Sequence, residues 1–243
     1  MAITTTGTYT YNLTGAEIIT EALRVLGVLE EGGSASATQV SDSLPSFELY
    51  IKGLANHGLL LWSIANTGVE LVGGQASYEL PEYTAPDTEP LYLPLRIHSA
   101  HITSLSGDSS LKLLTIEEYD SIPNKTTQGE PTSFFYGYKT GSSSWFNHRV
   151  HLWPVPATAG DPDYLVIRFE KPLEDVGDGT KNINVPPEWL ETVKYGLATR
   201  LAPMYGYPVQ ERNLLNNEYK ELLQNSLDFN VEVGSVYFQP DMN

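Results

Sequence analysis

Apolar residues recur at helical spacing in two stretches near the start of the chain and in two near its end. The first stripe runs through Ile19 and Leu23 and follows Thr14 and Glu17, which have the spacing of a capping box. This pattern predicts a helix over 15–30. Each stripe is apolar on one side only, so each helix needs a partner against which to bury it.

The second stripe follows another capping box, formed by Ser36 and Gln39, and steps by three and four residues from Val40 to Leu54. Pro45 interrupts it, because proline lacks an amide hydrogen and crowds the preceding turn. We therefore expect a kinked helix, or a helix that restarts at Pro45.

Two further helices are predicted near the end of the chain. The pair Pro186–Pro187 suits a helix start, and an apolar stripe runs from Leu190 to Met204. The last helix is predicted over about 209–227. Packing the two early helices against the two late ones is the simplest way to bury all four stripes.

The middle of the chain has a different pattern, in which apolar and polar residues alternate as they do in strands. Alternation is clear around Phe134, Val150 and Leu165. We expect residues 69–71 and 78–80 to form a β-hairpin about Gly73 and Gly74. Thr115 and Glu118 form a third capping box and predict a short helix.

The predicted fold class is therefore α+β, a discontinuous antiparallel helical bundle with an inserted antiparallel β domain. The predicted division of the chain begins with an N-terminal arm, residues 1–13. A helical core in two pieces follows, residues 14–65 and 186–228, with an inserted β domain between them, residues 66–185. An extended C-terminal docking tail, residues 229–243, ends the chain.

Composition narrows the possible functions. The net charge is −16, and acidity is spread along the chain, with net charges of −4, −8 and −4 over residues 1–65, 66–185 and 186–243. No basic block is present to replace counterions on nucleic-acid phosphates. The absence of cysteine excludes disulfides, thiol nucleophiles and cysteine-bound zinc. Neither a secretory signal nor a membrane span is expected, since the N-terminus lacks a basic region and no long apolar run exists.

The sequence predicts no catalytic residue, no metal site and no cofactor. His98 and His101, like His148 and His151, are three residues apart in strand-like segments, which places them on opposite faces. Acidic clusters occur at 117–120, 161–163 and 174–178. We interpret them as solvated turns, although paired carboxylates could also do acid–base chemistry or bind calcium.

Apolar and polar residues alternate again at the end of the chain, which predicts an extended, adhesive tail. Such a pattern suits docking by strand addition or by apolar anchoring. The residues predicted to bind a partner are Phe229, Val231, Val233, Val236, Tyr237 and Phe238.

Several segments, in order over about residues 14–215, resemble the podovirus tail accessory factors, which are head-to-tail connector (adaptor) proteins. The segments are Ile18–Val28, Leu54–Trp62, Gly74–Tyr78, Leu114–Asp120, Gly129–Pro131, Leu152–Pro156 and Val185–Pro203. Pro45 and the arm before Thr14 depart from the family pattern.

The resemblance implies a structural virion protein of the phage tail or neck, made in the host cytoplasm, and not an enzyme. Such proteins form a homo-oligomeric ring, usually of twelve copies, beneath the portal protein. The ring extends the DNA channel, through which DNA passes without sequence-specific binding, and gives tail proteins such as a tube, nozzle, needle or fibre a docking surface. The C-terminal segment of the family commonly inserts against the portal, and no membrane is involved.

Two other functions remain open from the residues alone. A virion-associated peptidoglycan hydrolase could use paired carboxylates such as Glu117 and Glu118. A carbohydrate-binding β module for host attachment could use the tyrosines and tryptophans of residues 66–185.

Overall fold

The computed structural model divides the chain into two compact units, one formed by residues 1–62 and 173–243 and one by residues 63–172. The first unit is helical and the second is dominated by strands, so the α+β class is confirmed. Residues 173–185 belong to the helical unit. The structure describes residues 10–57, 60–80, 94–105, 107–138, 148–157 and 163–229.

Five α-helices lie within the described ranges, and only α3 belongs to the second unit. Their bounds are α1 Gly15–Val25, α2 Ala37–Leu54, α3 Ile116–Asp120, α4 Leu190–Leu201 and α5 Val209–Phe229. A single 3₁₀ turn, Pro187–Trp189, leads into α4, as the two prolines predict.

The capping box of α1 is present. The Thr14 hydroxyl accepts the Glu17 amide at 3.3 Å, and the Glu17 carboxylate accepts the Thr14 amide at 2.8 Å. The helix ends at Val25, before the predicted end at residue 30, because Gly27 takes a φ of +65° that a helix cannot continue through.

The predicted restart of α2 at Pro45 is wrong, since the helix is continuous from Ala37 to Leu54. Pro45 leaves the Ser41 carbonyl without its helical donor, and both residues lie on the exposed side of the helix. Water can therefore solvate that carbonyl, and α2 continues past Pro45 while its opposite side stays buried.

Helix α4 lies at the centre of the helical unit, in contact with α1, α2 and α5. Its closest approach to α2 is at Gly196, where an added Cβ would lie 2.2 Å from the Tyr50 hydroxyl oxygen. That hydroxyl donates to the Thr192 carbonyl at 3.2 Å. Burial raises the pKa of Tyr50, so the hydroxyl remains protonated and keeps this bond.

The chain returns from the second unit through residues 173–185, which we call the strap, and the strap binds α2. Lys52 pairs with Asp175 at 2.6 Å and also donates to the Leu173 carbonyl. The Val176 amide donates to the Glu48 carboxylate at 2.8 Å.

The strap also caps the start of α1. The Gly15 and Ala16 amides, which have no partner within the helix, donate to the carbonyls of Lys181 at 3.1 Å and Gly179 at 2.8 Å. Gly179 has a φ of +80°, and an added Cβ on Gly15 would lie 2.9 Å from its Cα. Two glycines therefore allow the strap to approach the helix this closely.

The second unit contains a seven-stranded sheet of order β1-β9-β3-β4-β6-β7-β2 and a two-stranded pair, β5 and β8. The strands are β1 Ile64–Glu70, β2 Ser77–Glu79, β3 Arg96–Ser104, β4 Gly107–Leu113, β5 Gln128–Gly129, β6 Ser133–Tyr138, β7 His148–Trp153, β8 Val155–Pro156 and β9 Tyr164–Glu170. The alternation around Phe134, Val150 and Leu165 is confirmed as β6, β7 and β9, whereas β4 was missed.

The large sheet is antiparallel except between β4 and β6, which pair in parallel. The chain between these strands passes through α3 and β5, and this crossover lets β6 run in the same direction as β4. The prediction of an antiparallel β domain therefore needs this correction.

The predicted hairpin of residues 69–71 and 78–80 is wrong. β1 pairs with β9 and β2 pairs with β7, at opposite ends of the sheet order. A flat seven-stranded sheet would separate its end strands by about 29 Å. The six residues 71–76 that join them span at most about 25 Å and include a turn at Gly74, so the sheet must curl.

The curled sheet encloses its own apolar core. Alternate residues of β6, β7 and β9 point inward, and Phe134, Val150 and Leu165 are completely buried. The Tyr78 hydroxyl donates to the Val72 carbonyl at 3.1 Å and accepts the Val72 amide at 3.0 Å, which fixes the corner between the two end strands.

The contact of Gly196 with Tyr50 gives a stability prediction. We expect Gly196→Ala to lower the free energy of unfolding by about 1–3 kcal/mol, because the new methyl group overlaps a buried ring. Urea unfolding followed by circular dichroism measures the change. Gly53→Ala is the matched control, since its Cβ meets only an Arg200 nitrogen at 3.4 Å, and we expect it to raise stability by up to about 1 kcal/mol. Equal effects of the two substitutions would contradict the prediction.

The strap gives a pH prediction. The hydrogen bond and charge of Lys52 lower the pKa of Asp175, and the Thr14 amide and hydroxyl lower the pKa of Glu17. Carboxyls with lowered folded-state pKa stabilise the fold above their unfolded pKa, here 3.8 and 4.5, and lose that contribution as pH falls through the folded value. We expect Tm to fall as the pH is lowered below about 4.5. Asp175→Asn should flatten this dependence, and an unchanged slope would rule out the ion pair as its source.

Candidate functional site

The residues predicted to bind a partner lie at and beyond the end of α5. Phe229 is the last residue of that helix and is 77% exposed, so it is helical and not part of an extended segment. The other five, at 231, 233, 236, 237 and 238, lie outside the described residues.

A groove adjoins Phe229 where the end of α5 packs on the start of α4. Its volume is about 270 Å³, and the Thr192 and Ser226 hydroxyls meet across it at 2.7 Å. Sequence reasoning missed this groove, because its walls come from helices that pack only in the folded unit. Its lining residues are Glu188, Trp189, Glu191, Thr192, Leu222, Asn225, Ser226 and Phe229.

A larger pocket of about 560 Å³ lies in the second unit, with Asp108, Glu130 and Asp163 in its lining. In the described part of the chain, no three histidine or carboxylate side chains come together so as to hold a metal ion.

Two of the three acidic clusters, at 117–120 and 174–178, contain carboxylates that make structural contacts, whereas Asp161 of the third lies outside the described residues. The Glu118 carboxylate accepts the Thr115 amide at 2.8 Å and pairs with Lys112 at 2.8 Å, and these contacts lower its pKa. A general acid in glycoside cleavage needs a raised pKa, so Glu118 has the opposite property. In the strap, Asp178 accepts the Thr180 amide at 3.0 Å, which also lowers the pKa of Asp178.

Three rings of the second unit, those of Tyr119, Phe135 and His151, form a packed cluster. The Tyr119 and Phe135 rings stack 4.8 Å apart, and His151 lies 5.4 Å from the Tyr119 ring. The Lys125 ammonium lies 5.1 Å above the Tyr119 ring. Sugar binding by stacking needs an open ring face, whereas the rings and ammonium around Tyr119 occupy its surroundings and hold α3 on the sheet. Burial lowers the pKa of His151.

One comparison with known families matches most of the chain. A family model described as SU10 adaptor protein matches residues 5–235. The chain belongs to the SU10 adaptor protein family. No curated protein matches it.

Membership confirms the resemblance to head-to-tail connectors that the ordered segments indicate. The adaptor is thus a phage structural protein, and its family implies a component of the virion tail or neck and interaction with portal and tail proteins. No helix within the described ranges combines the length and apolarity that crossing a bilayer requires.

Proposed function

We propose that this adaptor forms a ring beneath the portal, extends the DNA channel and gives tail proteins a docking surface. Family membership over residues 5–235 carries the proposal. The ring would hold twelve copies, as the resemblance implies. The helical unit, with α4 in contact with three other helices, provides a rigid ring-forming body, and the second unit provides the outward docking surface.

The residues that follow α5 are the proposed portal-binding element. Phe229 is exposed beside the α4–α5 groove, and apolar residues continue at alternate positions to Val233. Exposed aromatic residues are frequent anchors of protein interfaces. A segment that becomes ordered only on the portal would let the adaptor assemble on that template.

Charge supports passage of DNA through the ring. The net charge is −16 and no segment carries a basic excess, so a lumen formed by these chains would repel phosphates. DNA would then move through the channel without binding at a specific sequence.

Removing the tail tests the portal contact. We expect a chain lacking residues 230–243 to stay folded but no longer bind portal rings, because the described core lies entirely before residue 230. Negative-stain microscopy and co-sedimentation with portal measure binding and ring formation. Normal binding by the truncated chain would show that the tail is not the docking element.

Single substitutions sharpen this test. Phe229→Ala should weaken portal binding by about tenfold or more if the ring is an interface anchor. Leu214→Ala is the matched control, since Leu214 is also on α5, apolar and 70% exposed, and should change affinity less than about twofold. A larger loss of affinity from Leu214→Ala than from Phe229→Ala would indicate that the interface lies at Leu214 and not at the end of α5.

A further inference from the structure

The curled sheet leaves a cleft of about 400 Å³ beside its two end strands, β1 and β2. Among the residues that the structure describes, β1 pairs only with β9 and β2 only with β7. Each strand therefore has one edge that pairs with no other described strand. We call this cleft the seam, and its lining residues are Val69, Glu70, Gln75, Ser77, Tyr78, Glu79 and Arg149.

Hydrogen bonds at the two ends of β1 show which of its amides face away from β9. The Lys171 amide donates to the Ser63 carbonyl, and the Leu71 amide donates to the Asp163 carbonyl. In an antiparallel ladder the bonded pairs alternate, so odd-numbered residues of β1 face β9. The amides and carbonyls of residues 64, 66, 68 and 70 therefore point away from β9.

This edge of β1 lacks the features that usually prevent strand addition. Over seven residues it contains no proline, its ladder with β9 has no register shift, and Glu70 is its only charge. At Gly68, an added Cβ would meet nothing within 4 Å, so the face of β1 is uncovered there. The side chains of Ala65 and Val69 contact the core but remain only half-buried.

We propose that the N-terminal arm of a second copy, residues 2–10, adds to β1 as an extra strand at the seam. The inference rests on the proposed ring, in which copies lie side by side. The arm carries no charge and no proline, and Thr4, Thr6, Thr8 and Thr10 occupy alternate positions. Threonine, isoleucine and tyrosine favour strands, and their sequence here gives the arm two distinct faces.

The two faces of the arm match the two sides of the seam. In a strand the even-numbered threonines share one face, and Ile3, Thr5, Gly7 and Tyr9 share the other. The second face would cover the half-buried side chains of Ala65 and Val69, whereas the even-numbered threonines would face water. The added strand thus completes the core and satisfies the outward-facing backbone of β1.

Charge favours the arm over the C-terminal tail as the occupant. The seam is lined by Glu70 and by Glu79, the latter paired with Arg149. The tail carries Glu232 and Asp241 and no basic residue, so its entry would bring like charges together.

Hydrogen–deuterium exchange of the full chain, resolved to single residues by fragmentation mass spectrometry, tests the proposal. The amides of Asn66 and Gly68 point away from β9, whereas those of Thr67 and Val69 bond to β9 and serve as internal controls. A variant with Thr6→Pro and Thr8→Pro removes two backbone amide hydrogen-bond donors from the arm. We expect exchange at 66 and 68 to become about tenfold faster or more, with 67 and 69 unchanged.

The matched control is Thr6→Val with Thr8→Val, which keeps the amides and the strand preference and should retain protection. Protection must also fall on dilution, because the arm comes from another copy. Equal exchange in the proline variant and the native chain would overturn the proposal. So would protection that does not change with concentration, or protection lost on deleting residues 230–243 but kept in the proline variant.

Ring formation is measured in the same samples by negative-stain microscopy, which separates this inference from the proposed function. Rings with unprotected amides at 66 and 68 would overturn the arm contact alone. Arm-dependent, dilution-sensitive protection without rings would support the arm contact and contradict the ring.

Discussion

The helical unit depends on how the strap closes a core whose two halves are far apart in the chain. Residues 55–172, 118 in all, separate α2 from the strap, and no local preference can bring the two together. The contacts that do so are of two kinds. Lys52 and Glu48 hold the strap by charge-assisted bonds, and Gly15 and Gly179 let its backbone cap α1 directly. The strap, which begins the later half of the core, thereby caps α1, which lies in the earlier half.

The features that the sequence predicts well are those set by neighbouring residues. All three capping boxes form at the predicted positions, and β6, β7 and β9 follow their alternation. Strand pairing could not be predicted in the same way, because Gly73 and Gly74 mark a turn without fixing which strands pair after it. β4 was missed because its first four residues, 107–110, include no apolar residue, and only Leu111 and Leu113 alternate with a polar one. The helix did not restart at Pro45, because that residue and the carbonyl it leaves without a donor face solvent.

The candidate site shows the same division. Phe229 was predicted to lie in an extended, partner-binding segment, but it is helical, because α5 continues further than the alternation beyond it indicated. Its binding of a partner stays a prediction. The α4–α5 groove could not be predicted, because Thr192 and Ser226 meet only after the helices pack. By contrast, Glu118 was open to a catalytic interpretation until its partners were known. Its cap and its ion pair stabilise the charged form, which is a structural role.

The corner formed by Tyr78 and Val72 determines how the curled sheet can deform. Because one hydroxyl both donates to and accepts from the same residue, the two end strands are fastened at this point. If the free edges of β1 and β2 separate, they therefore pivot about this corner. Displacement at the far end of β1, near Ile64, would then exceed that near Glu70.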